Sequence, residues 1–143
     1  MGKTERQKAV DTADRWFSRY IRISDKHNQV NGKDVYCKCI TTGKYVHIKE
    51  IQCGHFIGRG HFSTRYDEMN AHPQSVYANK WKSGMPLEYR MALTELYGTK
   101  AVETLETKGN IPLKYSIEEL RQVAKDFRLR TREIEKGLMI KIW

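Results

Sequence analysis

Apolar residues Ala9, Val10, Ala13, Trp16, Phe17, Tyr20 and Ile21 recur at steps of three and four, the spacing of one helix face. An amphipathic helix is therefore predicted from Thr4 to about Ser24. Its opposite face carries Arg6, Lys8, Arg15, Arg19 and Arg22, either a solvated face or one that contacts phosphate. Turn residues Asn28, Asn31 and Gly32 stop it. The pattern changes over residues 34–58. There Val35, Tyr36, Ile40, Tyr45, Val46, Ile48, Ile51 and Phe56, broken at Thr42-Gly43-Lys44, predict two or three short strands around a tight turn.

A polar, glycine-rich loop follows from Gly58 to about Glu68, then a short segment near 70–82 that ends at Ser83-Gly84. Pro86 suits the first turn of a helix over about 86–97 that closes at Gly98. Ala101, Val102 and Leu105 predict a further helix over roughly 99–108. Ser116 with Glu119 three residues on forms a capping box that opens a helix from Ile117 to about Lys136.

The chain has 143 residues, enough for one compact domain and too few for two full ones. No apolar run approaches the roughly 20 residues of a membrane helix, and the N-terminus lacks an apolar signal core, so a chain without a membrane partner is expected. Cys37, Cys39 and Cys53 are odd in number and crowded together, unlike a secreted disulfide framework, which points to a reducing cytoplasm. A net charge of +9 and a pI near 9.5 point to a polyanionic partner. Only residues 91–113 carry a net negative charge.

The stretch between Cys53 and Gly84 concentrates His55, Arg59, His61, Arg65, Asp67, Asn70, His72, Asn79, Lys80 and Lys82, a set for which a purely structural hairpin has little use. A His at a strand end, an Asn in the following loop and an amide on a short helix resemble the ββα-metal finger of HNH, or His-Me finger, nucleases. Phosphodiester hydrolysis needs a base to deprotonate water and a cation to stabilise charge on the phosphoryl group and the leaving 3′ oxygen. In such a finger His55 is the base, Asn79 offers a hard oxygen to Mg²⁺ or Mn²⁺, and Asn70 bridges loop backbone so that the His stays aimed. Arg59 and Arg65 are candidates for clamping phosphate, with Lys82 nearby. His72 either bonds the hairpin backbone or helps the metal; His61 either contacts the scissile region or lies on the surface. His27 and His47 read as structural or exposed.

Three motifs in order, Cys53–Arg59 (CGHFIGR), Thr64–Gln74 (TRYDEMNAHPQ) and Asn79–Gly84 (NKWKSG), make the chain similar to the NinG/Rap recombination endonucleases of bacteriophages over about residues 10–105. The resemblance implies metal-dependent nicking of branched DNA, such as Holliday junctions and D-loops, in the cytoplasm of an infected bacterium. It also marks departures. Family members carry two C-x-x-C pairs suited to structural zinc, where this chain has Cys39, Thr42, Ser75 and Ala78, so a zinc knuckle is not expected. Many HNH sites place an Asp before the base His; Gly54 stands there. Asn79 alone cannot hold Mg²⁺, leaving Asp67, Glu68, His72, a backbone carbonyl or DNA phosphate oxygens to complete the shell.

The expectation is thus an α+β protein: an N-terminal helix (1–30), an HNH-like ββα finger (34–84) and a helical C-terminal part (86–143), in one domain, either a monomer or a homodimer. Its competitor is a non-catalytic DNA-binding recombination protein with a decayed finger. An RNA-binding reading lacks an aromatic RNP-like strand and a GXXG clamp. Arg121, Lys125, Arg128, Arg130, Arg132 and Lys136 on the last helix either follow a second DNA arm or pair with Glu118, Glu119, Asp126, Glu133 and Glu135.

Overall fold

The computed structural model describes residues 2–143. Helix α1 (Glu5–Ser24) opens at a capping box, in which Thr4 Oγ1 accepts from the Gln7 N–H and the Gln7 side chain accepts from the Thr4 N–H. It buries Ala9, Ala13, Trp16, Phe17 and Ile21 against α5 (Ile117–Leu138), whose Leu120, Ala124 and Phe127 complete the main core. Phe17 and Phe127 meet edge to face with ring centroids 5.0 Å apart. The Ser116–Glu119 capping box opens α5 as its sequence requires.

After α5 the chain folds back. The Glu135 carboxylate accepts from the Ile142 N–H at 2.6 Å and the Trp143 N–H at 3.1 Å, which seats Ile142 in a second core with Ile23, Val35, Cys37, Ile48 and Ile51. Removing α5 would therefore remove a third of the buried residues of one core and the anchor of another, so its basic residues have to be probed by substitution rather than truncation.

The strands of residues 34–58 divide between two antiparallel sheets. Strands β1 (Gln29–Asn31), β2 (Asp34–Lys38) and β3 (Tyr45–His47) form one; β4 (Gln52–His55) pairs with β5 (Ala71–Gln74) in the other, with Gly54 opposite His72 and His55 opposite Ala71. The connection between β4 and β5 is not plain loop, because it holds a single helical turn, α2 (Phe62–Arg65), and a 3₁₀ turn over Glu68–Asn70.

Beyond β5 comes a π-helical turn, Tyr77–Trp81. Ser83, Gly84 and Met85 then take φ values of 53°, 83° and 49°, a left-handed run that reverses the chain into α3 (Pro86–Tyr97). Gly98, at φ 89°, separates α3 from α4 (Thr99–Gly109). Tyr89, Leu93, Val102 and Leu105 from these two helices form a third core, against which Phe56, Ile57 and Met69 of the β4–β5 connection pack. The connection is thus held between α1 and α5 on one side and α3 and α4 on the other. No described helix is long and apolar enough to cross a membrane.

Candidate active site

Strand β4 alternates its faces, and the alternation decides what can act. Cys53 and His55 line a cleft of about 630 Å³ together with Asp14, Ser18 and Arg22 of α1, Lys49, Glu50 and Gln52 before and on β4, Gly58 and Arg59 after it, and Asn79 and Lys80 from the π turn. Residue 54 has its own side filled. A Cβ there would lie 2.0 Å from Oε1 of buried Gln74, so the structure admits only glycine immediately before His55.

The His55 ring is fixed. Its Nε2–H donates to the Arg65 carbonyl at 2.9 Å, because a carbonyl can only accept. The neutral ring therefore keeps its lone pair on Nδ1, which has no partner among the described residues. Burial against Phe17, 5.8 Å between ring centroids, holds the imidazole pKa below its ordinary value. The Arg65 carbonyl opposes that shift, and the Arg59 charge adds to it.

Asn70 is fully buried and supports this arrangement from behind. Its Nδ2 donates to the carbonyls of Ile57 (3.0 Å) and Thr64 (3.1 Å), and its Oδ1 accepts from the Ile57 N–H at 2.8 Å. It ties the two ends of the β4–β5 connection together, the bridging role expected of it. With no exposed surface, it is a positioning residue. Asn79 Nδ2 donates to Gln52 Oε1 at 2.9 Å, which leaves its Oδ1 as an acceptor in the cleft without a donor among the described residues.

Asp14 has no part in the sequence reading, yet it organises the rim. Its carboxylate takes Arg65 Nε at 2.9 Å and the second guanidinium nitrogen at 2.6 Å, the Tyr66 hydroxyl at 3.0 Å, and Arg59 at 3.5 Å. The available signal was Asp14, Ser18 and Arg22 at steps of four, a polar stripe beside the apolar face of α1. Arg65 is consequently not a free phosphate clamp, because its side chain is only 12% exposed and bound on both edges. Replacing Asp14 by alanine strands that guanidinium and is expected to cost about 2 kcal/mol of unfolding free energy. Urea denaturation checks this, and a loss below about 0.5 kcal/mol would show the pair to be screened like a surface bridge.

Several other candidates lie elsewhere. His72 faces a separate cavity of about 480 Å³, where its ring bonds the hydroxyls of Tyr97 (2.9 Å) and Tyr89 (3.3 Å). Adjacent strand positions point to opposite faces, so paired residues His55 and Ala71 place His72 away from the cleft, and it cannot join Asn79 on one ion. Asp67 caps the 3₁₀ turn through the Met69 N–H and pairs with Lys108 at 2.6 Å. Lys82 sits with its ammonium 5.6 Å from the Tyr77 ring; of these two lysines it is Lys80 that lines the cleft. His61 donates to the Gly109 carbonyl at 2.9 Å and is structural. His27 and His47 lie beside Asp25 and Asp34.

Among the bases of α5, Arg121 faces Glu5 at 3.7 Å, Arg130 pairs with Glu68 at 2.7 Å, and Arg132 pairs with Glu135 at 2.7 Å. Of these partners only Glu135 belongs to α5. Arg128 and Arg132 flank the Trp16 ring at 5.8 and 5.0 Å, while Arg19 and Arg22 stack on Trp143 at 5.6 and 4.9 Å. This arginine–tryptophan cluster continues the positive wall of the cleft through Arg22.

Burial pushes the His72 imidazole pKa down to about 4. Nearby Asp25 opposes the shift and His27 adds to it. Between about pH 6.5 and 4 the unfolded chain binds this proton and the folded chain does not, so stability present above 6.5 is lost as the pH falls through that window. The expected loss is about 2 to 3 kcal/mol in the urea-derived unfolding free energy between pH 7 and pH 4. His72→Gln should flatten the window, and an unchanged slope in that variant would assign the effect to other groups.

The knuckle positions do converge. The Cys39 sulfur accepts from the Ser75 N–H at 3.2 Å and lies 3.6 Å from Ser75 Oγ, with Ala78 buried beside it in the second core. These contacts lower the thiol pKa to about 7 against the opposing effect of burial. No group of three or more His, Cys, Asp or Glu side chains able to hold a metal occurs among the described residues. All three cysteines are free.

The chain is similar to known proteins over much of its length. The curated protein ninG of Escherichia phage 933W is 30% identical over 85 residues, covering 54% of this chain and 42% of that protein. Protein ninG of Escherichia phage lambda is 29% identical over 85 residues, 54% of this chain and 41% of its own length. Protein ninG of Enterobacteria phage H19B is 35% identical over 71 residues, 45% and 35% respectively. The aligned segment thus spans about two-fifths of the first curated relatives. No solved structure matches the chain. The family described as Bacteriophage Lambda NinG protein matches residues 2–137, nearly the whole chain and every cleft residue, and this protein belongs to that family.

Proposed function

We propose that the cleft is the active site of a divalent-metal-dependent DNA endonuclease of HNH type, acting on branched recombination intermediates. The observation that carries this reading is the joint placement of an anchored, uncharged imidazole and an unpartnered carboxamide oxygen, His55 and Asn79, in a cleft lined by Arg22, Lys49, Arg59 and Lys80. The acidic residues of that lining are Asp14, already committed to Arg65, and Glu50. The cleft therefore attracts phosphate.

His55 Nδ1 takes the proton of the attacking water, and the Arg65 carbonyl stabilises the imidazolium that results through its bond to Nε2–H. Arg59 and Lys80 hold the flanking phosphates. The donor set fits a hard ion of the Mg²⁺ or Mn²⁺ kind only sparsely: Asn79 Oδ1 would hold it, with waters and phosphate oxygens completing the shell, as Mg²⁺ sites commonly allow. When bound, such an ion stabilises charge on the phosphoryl group and the leaving 3′ oxygen. The resemblance to recombination endonucleases supports branched DNA as the substrate class, and the basic wall running from Arg22 to the Trp16–Trp143 cluster supports a second DNA arm.

The test incubates the full chain with Mg²⁺ on a four-way junction and on a matched linear duplex, beside His55→Ala. Metal-dependent nicking of the junction by the wild-type chain alone is expected. Cleavage no faster than the variant would leave a DNA-binding protein without catalysis.

A further inference from the structure

The turn that delivers Asn79 and Lys80 to the cleft also displays two aromatic rings to solvent: Tyr77 is 56% exposed and Trp81 is 78% exposed. The other two tryptophans are treated differently. Trp16 is 9% exposed under Arg19 and Arg132, and Trp143 lies beneath Arg19 and Arg22. No cation or ring stacks on Trp81 among the described residues, whereas Lys82 sits over Tyr77.

The turn is tied down by backbone hydrogen bonds as well as prominent. Ala78 is fully buried, and the N–H groups of Asn79, Lys82 and Gly84 donate to the carbonyls of Ser75, Tyr77 and Ala78 at 2.9, 3.0 and 2.9 Å. The left-handed run Ser83–Met85 then carries the chain away from it. Gln74, itself buried, donates to the Gly84 carbonyl at 2.8 Å and fixes the return. Aromatic faces and lysines alternate along a pinned element that borders a phosphate-attracting cleft.

From this juxtaposition we infer that Tyr77 and Trp81 form a stacking platform for unpaired nucleobases next to the scissile phosphate. Lys80 and Lys82 supply the complementary charge for the backbone of the same strand. An intact duplex keeps its base faces covered, so the platform adds affinity only where bases are unstacked, at a fork, flap or branch; base–aromatic stacking tolerates any base. This rests on the reading of the cleft as a nucleic-acid site and adds what distinguishes branched from linear DNA there.

The experiment measures binding without divalent metal, so that nothing is cut. The probes are a forked duplex with 2-aminopurine at the first unpaired position and a fully paired duplex with 2-aminopurine inside. The wild-type chain is expected to change the fork fluorescence, and Trp81→Ala to abolish that change and weaken fork binding about tenfold, with duplex affinity within twofold. Tyr77→Ala should act in the same direction, and Trp81→Phe should restore most of the affinity. Because Trp81 is exposed, an unchanged melting temperature is expected and verifies the fold.

Equal losses on fork and duplex, no loss on either, or binding to neither would overturn the platform. So would a concentration-dependent dimer in the wild type that Trp81→Ala dissolves, since the rings would then cover a second copy. If the fork-selective loss appears but the wild-type chain cuts no DNA, the endonuclease reading fails and the platform stands. If the chain cuts and Trp81 makes no difference to fork binding, the reverse holds.

Discussion

His55→Ala is expected to lower the single-turnover cleavage rate by about 10²- to 10⁴-fold, the range removed with a general base, while DNA affinity changes little. The ring contributes no net positive charge to the cleft when neutral, and the cations that attract phosphate remain. The pH profile gives a sharper readout. The base must be unprotonated, and burial holds its pKa below the ordinary imidazole value, so the wild-type rate should climb with pH and level off at a lower pH than a solvent-exposed imidazole would give. A plateau reached only above pH 7.5 would identify a different base. Asn79→Ala provides the complement: the metal concentration for half-maximal rate should rise, with the position of the pH plateau unchanged.

Asn70→Ala is expected to destabilise the fold by about 3 to 4 kcal/mol, because it removes three hydrogen bonds at a fully buried site and leaves the Ile57 N–H and the Ile57 and Thr64 carbonyls without those partners. For a chain of this size that corresponds to a fall of about 10 °C in melting temperature. Catalysis should suffer beyond stability. The loosened connection carries Arg65, whose carbonyl aims His55, so the rate at a temperature where the variant is folded should drop at least about tenfold with no change in metal requirement. Asn70→Asp tests the donor half of the bridge, since it sets an oxygen against the Ile57 and Thr64 carbonyls, and it should be no better than alanine. A melting temperature within 2 °C of wild type, roughly half a kcal/mol, would refute the bridging role.

Much of this architecture is local, and local features were legible. Helices α1, α3, α4 and α5 follow from steps of three and four, and their ends from Ser116–Glu119, Pro86 and Gly98, because capping and helix periodicity involve residues only a few positions apart. His55, Asn70 and Asn79 were recognisable as a set from their order and spacing; Asn70 bridges loop backbone, whereas the contact Asn79 makes is through its Nδ2 to Gln52.

The remainder depended on partners far along the chain. Strand β5 is buried at all four positions, so it shows no alternation to reveal it, and its pairing with β4 is what sends His55 into the cleft and His72 into another cavity. The same pairing excludes any side chain at residue 54 through Gln74. Asp14 captures Arg65 across 51 residues, turning an apparent phosphate ligand into a support for His55. A single helical turn decides that Lys80, not Lys82, lines the cleft, and leaves Trp81 uncovered. Residue order alone showed which segments were helical and where imidazole, carboxamide and basic side chains cluster. Which of those side chains share one cleft depends on strand parity and on packing between residues far apart in the chain, neither of which a local pattern carries.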